Sequence, residues 1–146
     1  MLMCVLSLLL TAASQGTDKL TSARTYVFTD TSASGQHSIE EQGRLDAVKE
    51  LREALSKKKG ISLVDNRADA TVLIEITGRE QGADVSGGFG GKQITSTGDT
   101  IIRFHISSGT EESDLKGLGQ GTWGRAAKDA ADRILKWIAR REPPHK

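Results

Sequence analysis

Cysteine is almost absent from this sequence, in which Cys4 is the single one among 146 residues. It lies inside the apolar run at residues 1–10, whereas the cysteine of a lipoprotein signal follows the apolar run. We therefore expect no lipid anchor at Cys4. If that run is removed, the rest of the chain has no thiol, which excludes disulfides, cysteine nucleophiles and thiolate metal sites from it.

An excess of charge of either sign is also lacking, because 20 lysines and arginines stand against 19 aspartates and glutamates, for a net charge of +1. Nucleic-acid-binding domains usually carry a basic stripe or have a high isoelectric point. We therefore expect no nucleic-acid partner. The run from Lys57 to Lys59 falls where a helix is predicted to end, and cations at that position complement the helix dipole.

Long apolar stretches are missing after the first ten residues, which read MLMCVLSLLL. Small and polar residues follow, as in the cleavage region of a secretory signal, and the run is too short to cross a bilayer. We interpret residues 1–14 as a signal-peptide-like segment and residues 15–23 as a polar spacer. This interpretation predicts a periplasmic or secreted protein with no stable transmembrane span after removal of the signal.

Residues 24–141 have the pattern of one α+β domain, which a short tail at 142–146 follows. A helix is predicted to begin at the capping box of Ser38 and Glu41 and to end at Gly60, and a second helix is predicted over residues 125–140. Alternating and β-branched residues predict strands at 24–30, 61–65, 70–78, 99–107 and 115–124.

These elements give the order β-α-β-β-β-β-α, which predicts a mostly antiparallel sheet with two helices packed on one face. Residues 70–78 and 99–107 are predicted to pair as an antiparallel hairpin. The glycine-rich stretch at 78–99 between them is predicted to be a long, mobile loop, since glycine loses much entropy on ordering. Residues 110–114, TEESD, are predicted to be a polar turn.

Two glycine-rich motifs partly match nucleotide-binding sequences, but neither has the required context. In SGGFGGK, residues 86–92, serine stands where a P-loop needs its first glycine, and the residue after the lysine has no hydroxyl. GQGTWG, residues 119–124, fits the dinucleotide fingerprint but does not open a βαβ unit. We therefore predict no cofactor.

The glycines of the fifth predicted strand are better explained by packing. Gly117 and Gly119 fall on one side of this strand, where a missing side chain lets another element approach closely. Trp123 follows them and is a candidate to cover them.

The candidate binding residues are Phe89 and Lys92 in the glycine-rich stretch. Phe89 is isolated among glycines, which predicts an exposed apolar anchor, and Lys92 is its charged neighbour. Such a pair would bind a protein partner.

A second candidate group consists of Glu75, Arg103 and His105 on the predicted hairpin. A carboxylate beside a histidine can perform acid–base chemistry, which would make the protein a small hydrolase or a ligand-binding enzyme. Polar residues that alternate along an open sheet face are also what solvation requires. The scattered histidines, which include His37 and His145, show no metal-ligand spacing, so we predict no metal site.

Within residues 38–125, LSKKKGISLVD, RADATVLIEITG and DTIIRFHISSGT give a helix, a short strand, an apolar strand after Ala-Asp, a glycine-rich loop and a returning strand. This order resembles a family of small bacterial envelope domains. The family includes the amino-terminal domain of the Tol-system translocation protein and the periplasmic domain of the curli-secretion lipoprotein. The resemblance implies a non-catalytic binding or envelope-assembly module with an envelope protein as partner. Unlike the lipoprotein members, this sequence has no lipobox cysteine.

Overall fold

The structure is a computed structural model that describes residues 22–31, 38–88 and 91–141, and for residues 83–88 and 91–97 we describe the backbone alone. The predicted signal-like segment at 1–14, nearly all of the spacer and the tail at 142–146 lie outside the described residues. Phe89 also lies outside them.

The observed elements confirm the predicted α+β class and the order β-α-β-β-β-β-α. They are β1 (Ala23–Phe28), α1 (Ile39–Ser56), β2 (Ile61–Leu63), a 3₁₀ turn (Arg67–Asp69), β3 (Val72–Gly88), β4 (Gly91–Ser108), β5 (Glu111–Gln120) and α2 (Trp123–Arg141).

The five strands form one sheet in the order β2-β1-β3-β4-β5. β1 runs parallel to both of its neighbours, β2 and β3, whereas β3, β4 and β5 are successively antiparallel. Most of the paired residues therefore belong to antiparallel ladders. Both helices pack on the same face of the sheet, and the other face is open.

Helix α1 begins as its sequence predicts. The backbone N–H of Glu41 donates to Ser38 Oγ at 3.2 Å, and the backbone N–H of Ser38 donates to Glu41 Oε2 at 2.9 Å, which completes the capping box. Helical spacing predicts that one face of α1 is an apolar stripe of Leu45, Ala47, Val48, Leu51, Ala54 and Leu55. Ala47, Leu51 and Leu55 are fully buried, and Val48 and Ala54 are partly buried against the core, whereas Leu45 is only partly buried and is not among the core residues.

The hydrophobic core lies between the two helices and the covered face of the sheet. It is built from β-branched and aromatic residues of the strands, the leucine stripe of α1 and the small residues of α2. Its members are Val27, Ala47, Leu51, Leu55, Val72, Ile74, Ile76, Ile102, Phe104, Ile106, Ala126, Ala127, Ala130, Ala131 and Ile134.

The glycines of β5 lie directly under α2. A Cβ atom at Gly117 would stand 2.3 Å from the Ala126 carbonyl oxygen and 2.6 Å from Ala130 Cβ. The prediction that a helix packs closely on this glycine face is therefore confirmed. Trp123 does not supply the cover; it begins α2 and contacts Arg79.

The prediction of a loop at 78–99 is wrong. β3 continues to Gly88 and β4 begins at Gly91, with backbone pairs such as Val85 with Ile94. Pairing satisfies the backbone N–H and C=O groups of this stretch on one side, and this gain is available to glycine as to any other residue. The prediction of a turn at 110–114 is also wrong, because β5 begins at Glu111, and charged residues are common on an edge strand.

Within the part of the chain that the structure describes, neither helix is long and apolar enough to cross a membrane.

Candidate functional site

The most unusual feature of the molecule is the outer part of the β3–β4 hairpin. β1 pairs with β3 as far as Glu75, and β5 pairs with β4 only from Asp99 onward. Residues 83–88 therefore pair with residues 91–96 alone. We call the two-stranded segment formed by residues 82–88 and 91–97 the arm. The six residues from Ala83 to Gly88 would extend about 20 Å at the usual rise of a strand.

Two irregularities in the pairing lie where the arm leaves the sheet. The register between β3 and β4 shifts between Ile76 and Gly78 and again between Gln81 and Ala83. On β4, Gly98 has a φ of +71°, which is a left-handed conformation that favours glycine. β-bulges bend a strand and increase its twist, so these positions set the direction in which the arm points.

Of the two predicted binding residues, the structure places one. Lys92 lies on the arm, where its Cα is paired with that of Gly87 next to the end of the hairpin. Because Phe89 lies outside the described residues, its role as an apolar anchor stays a prediction.

The base of the arm is fixed to both helices by Arg79. Its Nη2 donates to Glu50 Oε1 of α1 at 2.9 Å, and its Nη1 lies 3.9 Å from Asp46 Oδ2. On its other side, the guanidinium lies 3.9 Å from the centre of the Trp123 ring at the start of α2. Arg79 thus joins the first strand of the hairpin to α1 and α2.

The environment of Glu50 in this cluster is only partly favourable to its charge. Burial raises the pKa of Glu50 above its ordinary value of 4.5, although the charge and hydrogen bond of Arg79 act in the opposite direction. Glu50 Oε2 and Arg79 Nε are buried and have no hydrogen-bond partner among the described residues. The two charges therefore depend on each other, since neither is fully solvated.

A shallow cleft of about 440 Å³ lies beside this cluster, between the start of α1 and Arg79. Ile39, Gln42 and Asp46 contribute to its walls. Ile39 is a large apolar side chain and is 94% exposed. An exposed apolar residue therefore stands near the base of the arm.

Sequence reasoning missed this cluster at the arm base. Its members come from three elements that are distant in the chain, so no local spacing connects them. The available signals were an arginine directly after an apolar strand and a tryptophan at the start of a helix.

The polar residues predicted on the hairpin only partly come together. Glu75 and His105 are register partners on the open face of the sheet. Arg103 instead forms a two-point ion pair with Glu80, with distances of 2.7 Å and 3.2 Å. These side chains lie on an open sheet face, whereas the cleft beside Arg79 is lined by other residues.

The nearest partners of His105 are carboxylates of β5. His105 Nδ1 lies 2.8 Å from Asp114 Oδ1, and Nε2 lies 3.7 Å from Glu112 Oε2. The hydrogen bond to Asp114 raises the pKa of His105 above 6.5; burial opposes this, and the charges of Asp114, Glu112 and Glu75 add to it. These carboxylates favour the charged form of His105, which suits an ion-pair cluster on the open face of the sheet.

A second cleft, of about 260 Å³, lies between α1 and the start of α2. Its charged walls are largely paired: Lys57 Nζ lies 2.7 Å from Glu53 Oε1, and Lys58 Nζ lies 2.5 Å from Asp132 Oδ1. Within residues 22–31, 38–88 and 91–141, no three His, Cys, Asp or Glu side chains are grouped to hold a metal ion.

No protein-family model matches this sequence, and a comparison with curated proteins returns no significant match.

Proposed function

We propose that this protein is an exported, non-catalytic binding or assembly module of the cell envelope, which binds a protein partner through the arm. The observation that carries the proposal is the arm itself, because its two strands extend beyond β1 and β5 and pair only with each other. An extension of this kind adds little to the core, since an isolated two-stranded ribbon is marginally stable at best. The stability of the fold therefore does not account for the arm, whereas the binding of a partner does.

The base of the arm suits this role. Arg79 joins β3 to α1 and α2, so the base of the arm is attached to both helices. Ile39 lies exposed nearby and adds apolar surface that a partner around the arm would cover. Arms that are rigid at the base lose less entropy on binding than free loops do.

Export and the envelope location rest on the sequence. The signal-like segment at residues 1–14, the chain without thiols after it and the resemblance to envelope domains all support a periplasmic or secreted protein. Mass spectrometry of the protein recovered from its host would reveal an N-terminus near residues 14–18 if the segment is removed. An intact Met1 in a cytoplasmic fraction would contradict export.

The enzyme alternative, with Glu75, Arg103 and His105, has less geometric support. Arg103 is held by Glu80, and His105 is held by Asp114 on an open surface. Catalytic groups usually converge in a concave, partly desolvated site, where their pKa values can be matched to the reaction.

The test of the proposal is site-specific photo-crosslinking in the native host. A photoreactive amino acid at Phe89 should crosslink to one envelope protein, whereas the same group at Lys49, on the exposed side of α1, should give no such product. Replacement of residues 82–97 by an Asn-Gly turn should abolish partner binding and leave the far-ultraviolet circular dichroism of the helices unchanged. A partner bound equally well without the arm would contradict the proposal.

A further inference from the structure

The sheet has two edge strands, β2 and β5, and β5 pairs with β4 on one side only. The register with β4 is unbroken from Asp99 with Gln120 to Ser108 with Glu111. The opposite edge, β2, has three residues, so β5 with its ten residues offers by far the more extended row of backbone groups.

The direction of these backbone groups is settled by one hydrogen bond. The N–H of Leu118 donates to Asp129 Oδ2 of α2 at 2.9 Å, so it points away from β4. Because directions alternate along a strand, the backbone groups of Lys116, Asp114 and Glu112 point to the same free side. Asp129 therefore occupies one end of the edge, and the rest can accept another strand.

One charged side chain on this edge, that of Lys116, is not neutralised by a carboxylate of the described residues. Lys116 is the register partner of Arg103, which places two cations on neighbouring strands. Arg103 is neutralised by Glu80, but Lys116 has no ion-pair partner among the described residues. Like charges at such a pair are unfavourable, so Lys116 gains from a carboxylate on its free side.

We infer that β5 pairs antiparallel with β5 of a second copy of this chain, in the register centred on Leu115. In this register Asp114 of each copy lies opposite Lys116 of the other, and both pairs are of opposite charge. Each pair of Asp114 with Lys116 makes two backbone hydrogen bonds between the copies. Each flanking pair of Glu112 with Leu118 makes one, because the Leu118 N–H already donates to Asp129.

Other registers are less favourable for the same charges. Centring the pairing on residue 114 would place Lys116 opposite Glu112 on both sides but Asp114 opposite Asp114 at the centre. Centring it on residue 116 would place Lys116 opposite Lys116, and centring it on residue 113 would place Glu112 opposite Asp114. Centring it on residue 117 would place Lys116 opposite Leu118 and leave its charge without a partner. In-register parallel pairing would oppose like charges throughout. Of these registers, the one centred on Leu115 therefore places Lys116 opposite a carboxylate on both sides without opposing like charges. A two-fold contact requires such self-complementarity.

The test is sedimentation equilibrium of the purified protein with charge-swap variants. Since the contact is small, we expect association between about 10 µM and 1 mM, weakened by added salt. Lys116→Glu should lower the association constant about tenfold. In a His105→Gln background, which removes the pair of His105 with Asp114, the double variant Asp114→Lys with Lys116→Asp should restore it. Lys49→Glu, which changes the net charge as much as Lys116→Glu but lies on α1, should leave association at the wild-type value.

Hydrogen exchange separates edge pairing from association through the arm. The amides of Asp114 and Lys116 should be protected at high protein concentration and exchange rapidly at low concentration, also in the variant that lacks residues 82–97. A protein that stays monomeric to 1 mM, or a double variant that stays as weak as Lys116→Glu, would overturn the inference. So would an edge that is protected only when a different protein is added.

Discussion

The guanidinium of Arg79 lies between the carboxylate of Glu50 and the ring of Trp123, 2.9 Å from the first and 3.9 Å from the centre of the second. A charge in this position has contacts on both sides and little access to water. Its removal therefore affects two helices at once.

We predict that Arg79→Met lowers the free energy of unfolding by about 1–3 kcal/mol at pH 7, because Glu50 is left half-buried without its cation and the contact with Trp123 loses its charge. Arg103→Met is the matched control. Its pair with Glu80 is about half exposed on the other face, where solvent screens the two charges, so its loss should destabilise the protein much less. Urea denaturation measures both, and equal losses would contradict the role given to Arg79.

The close contact of β5 with α2 predicts that Gly117→Ala destabilises the protein by several kcal/mol or displaces α2. The added methyl group would meet the Ala126 carbonyl and Ala130, which belong to the helix backbone and core and have no space to move. Gly124→Ala is the control, since a Cβ there meets nothing within 4 Å and alanine favours helix. Thermal melts should place Gly124→Ala at or above wild type; a tolerated Gly117→Ala would refute the close packing.

The core assignment predicts that Leu51→Asp and Ile134→Asp each cost several kcal/mol, because each buries an unpaired charge between the helices and the sheet. Ile39→Asp introduces the same side chain at a residue that is 94% exposed. It should change the midpoint of thermal unfolding little. Circular dichroism melts compare the three variants directly, and a core variant that melts with wild type would disprove the assignment.

His105 predicts a pH dependence of stability. Its pKa is raised in the folded protein, above about 6.5 in the unfolded chain, so its ion pairs stabilise fully below pH 6.5. This contribution is lost as the pH rises through the folded pKa. Stability measured against pH should fall in this window for wild type and fall less for His105→Gln, which removes the titration. An NMR titration in which Asp114→Asn leaves the pKa of His105 unchanged would contradict the assigned cause.

Features that depend on neighbouring residues were predictable from the sequence. The capping box at Ser38 and the leucine stripe of α1 are set by spacing within one helix, and both are observed. The buried residues of β3 and β4, such as Ile74 and Phe104, follow from alternation. Gly117 was predicted to lie at a close packing contact, because glycines on one side of a strand let another element approach closely.

The features that were missed depend on pairing across the chain. Glycine disfavours strands when judged alone, so the arm was predicted to be a loop, although Val85 and Ile94 are well placed to pair. The contact of Arg79 with Glu50 and Trp123 joins three elements that no local pattern relates. The alternation of residues around His105 predicted the strand on which it lies. It did not predict the hydrogen bond to Asp114, because Asp114 lies on a different strand.

The place of β1 in the sheet has a consequence for the order of folding. β1 is the first strand that the structure describes, yet it lies between β2 and β3, and its backbone accepts hydrogen bonds from residues 47 positions later, such as Thr71 to Arg24. In a chain that emerges from its amino terminus, one side of β1 therefore stays unpaired until β3 has followed, and the other side until β2 has followed. Long-range contacts of this kind slow folding. If the protein is exported as an unfolded chain, as we propose, that delay would keep the sheet from closing before transport is complete.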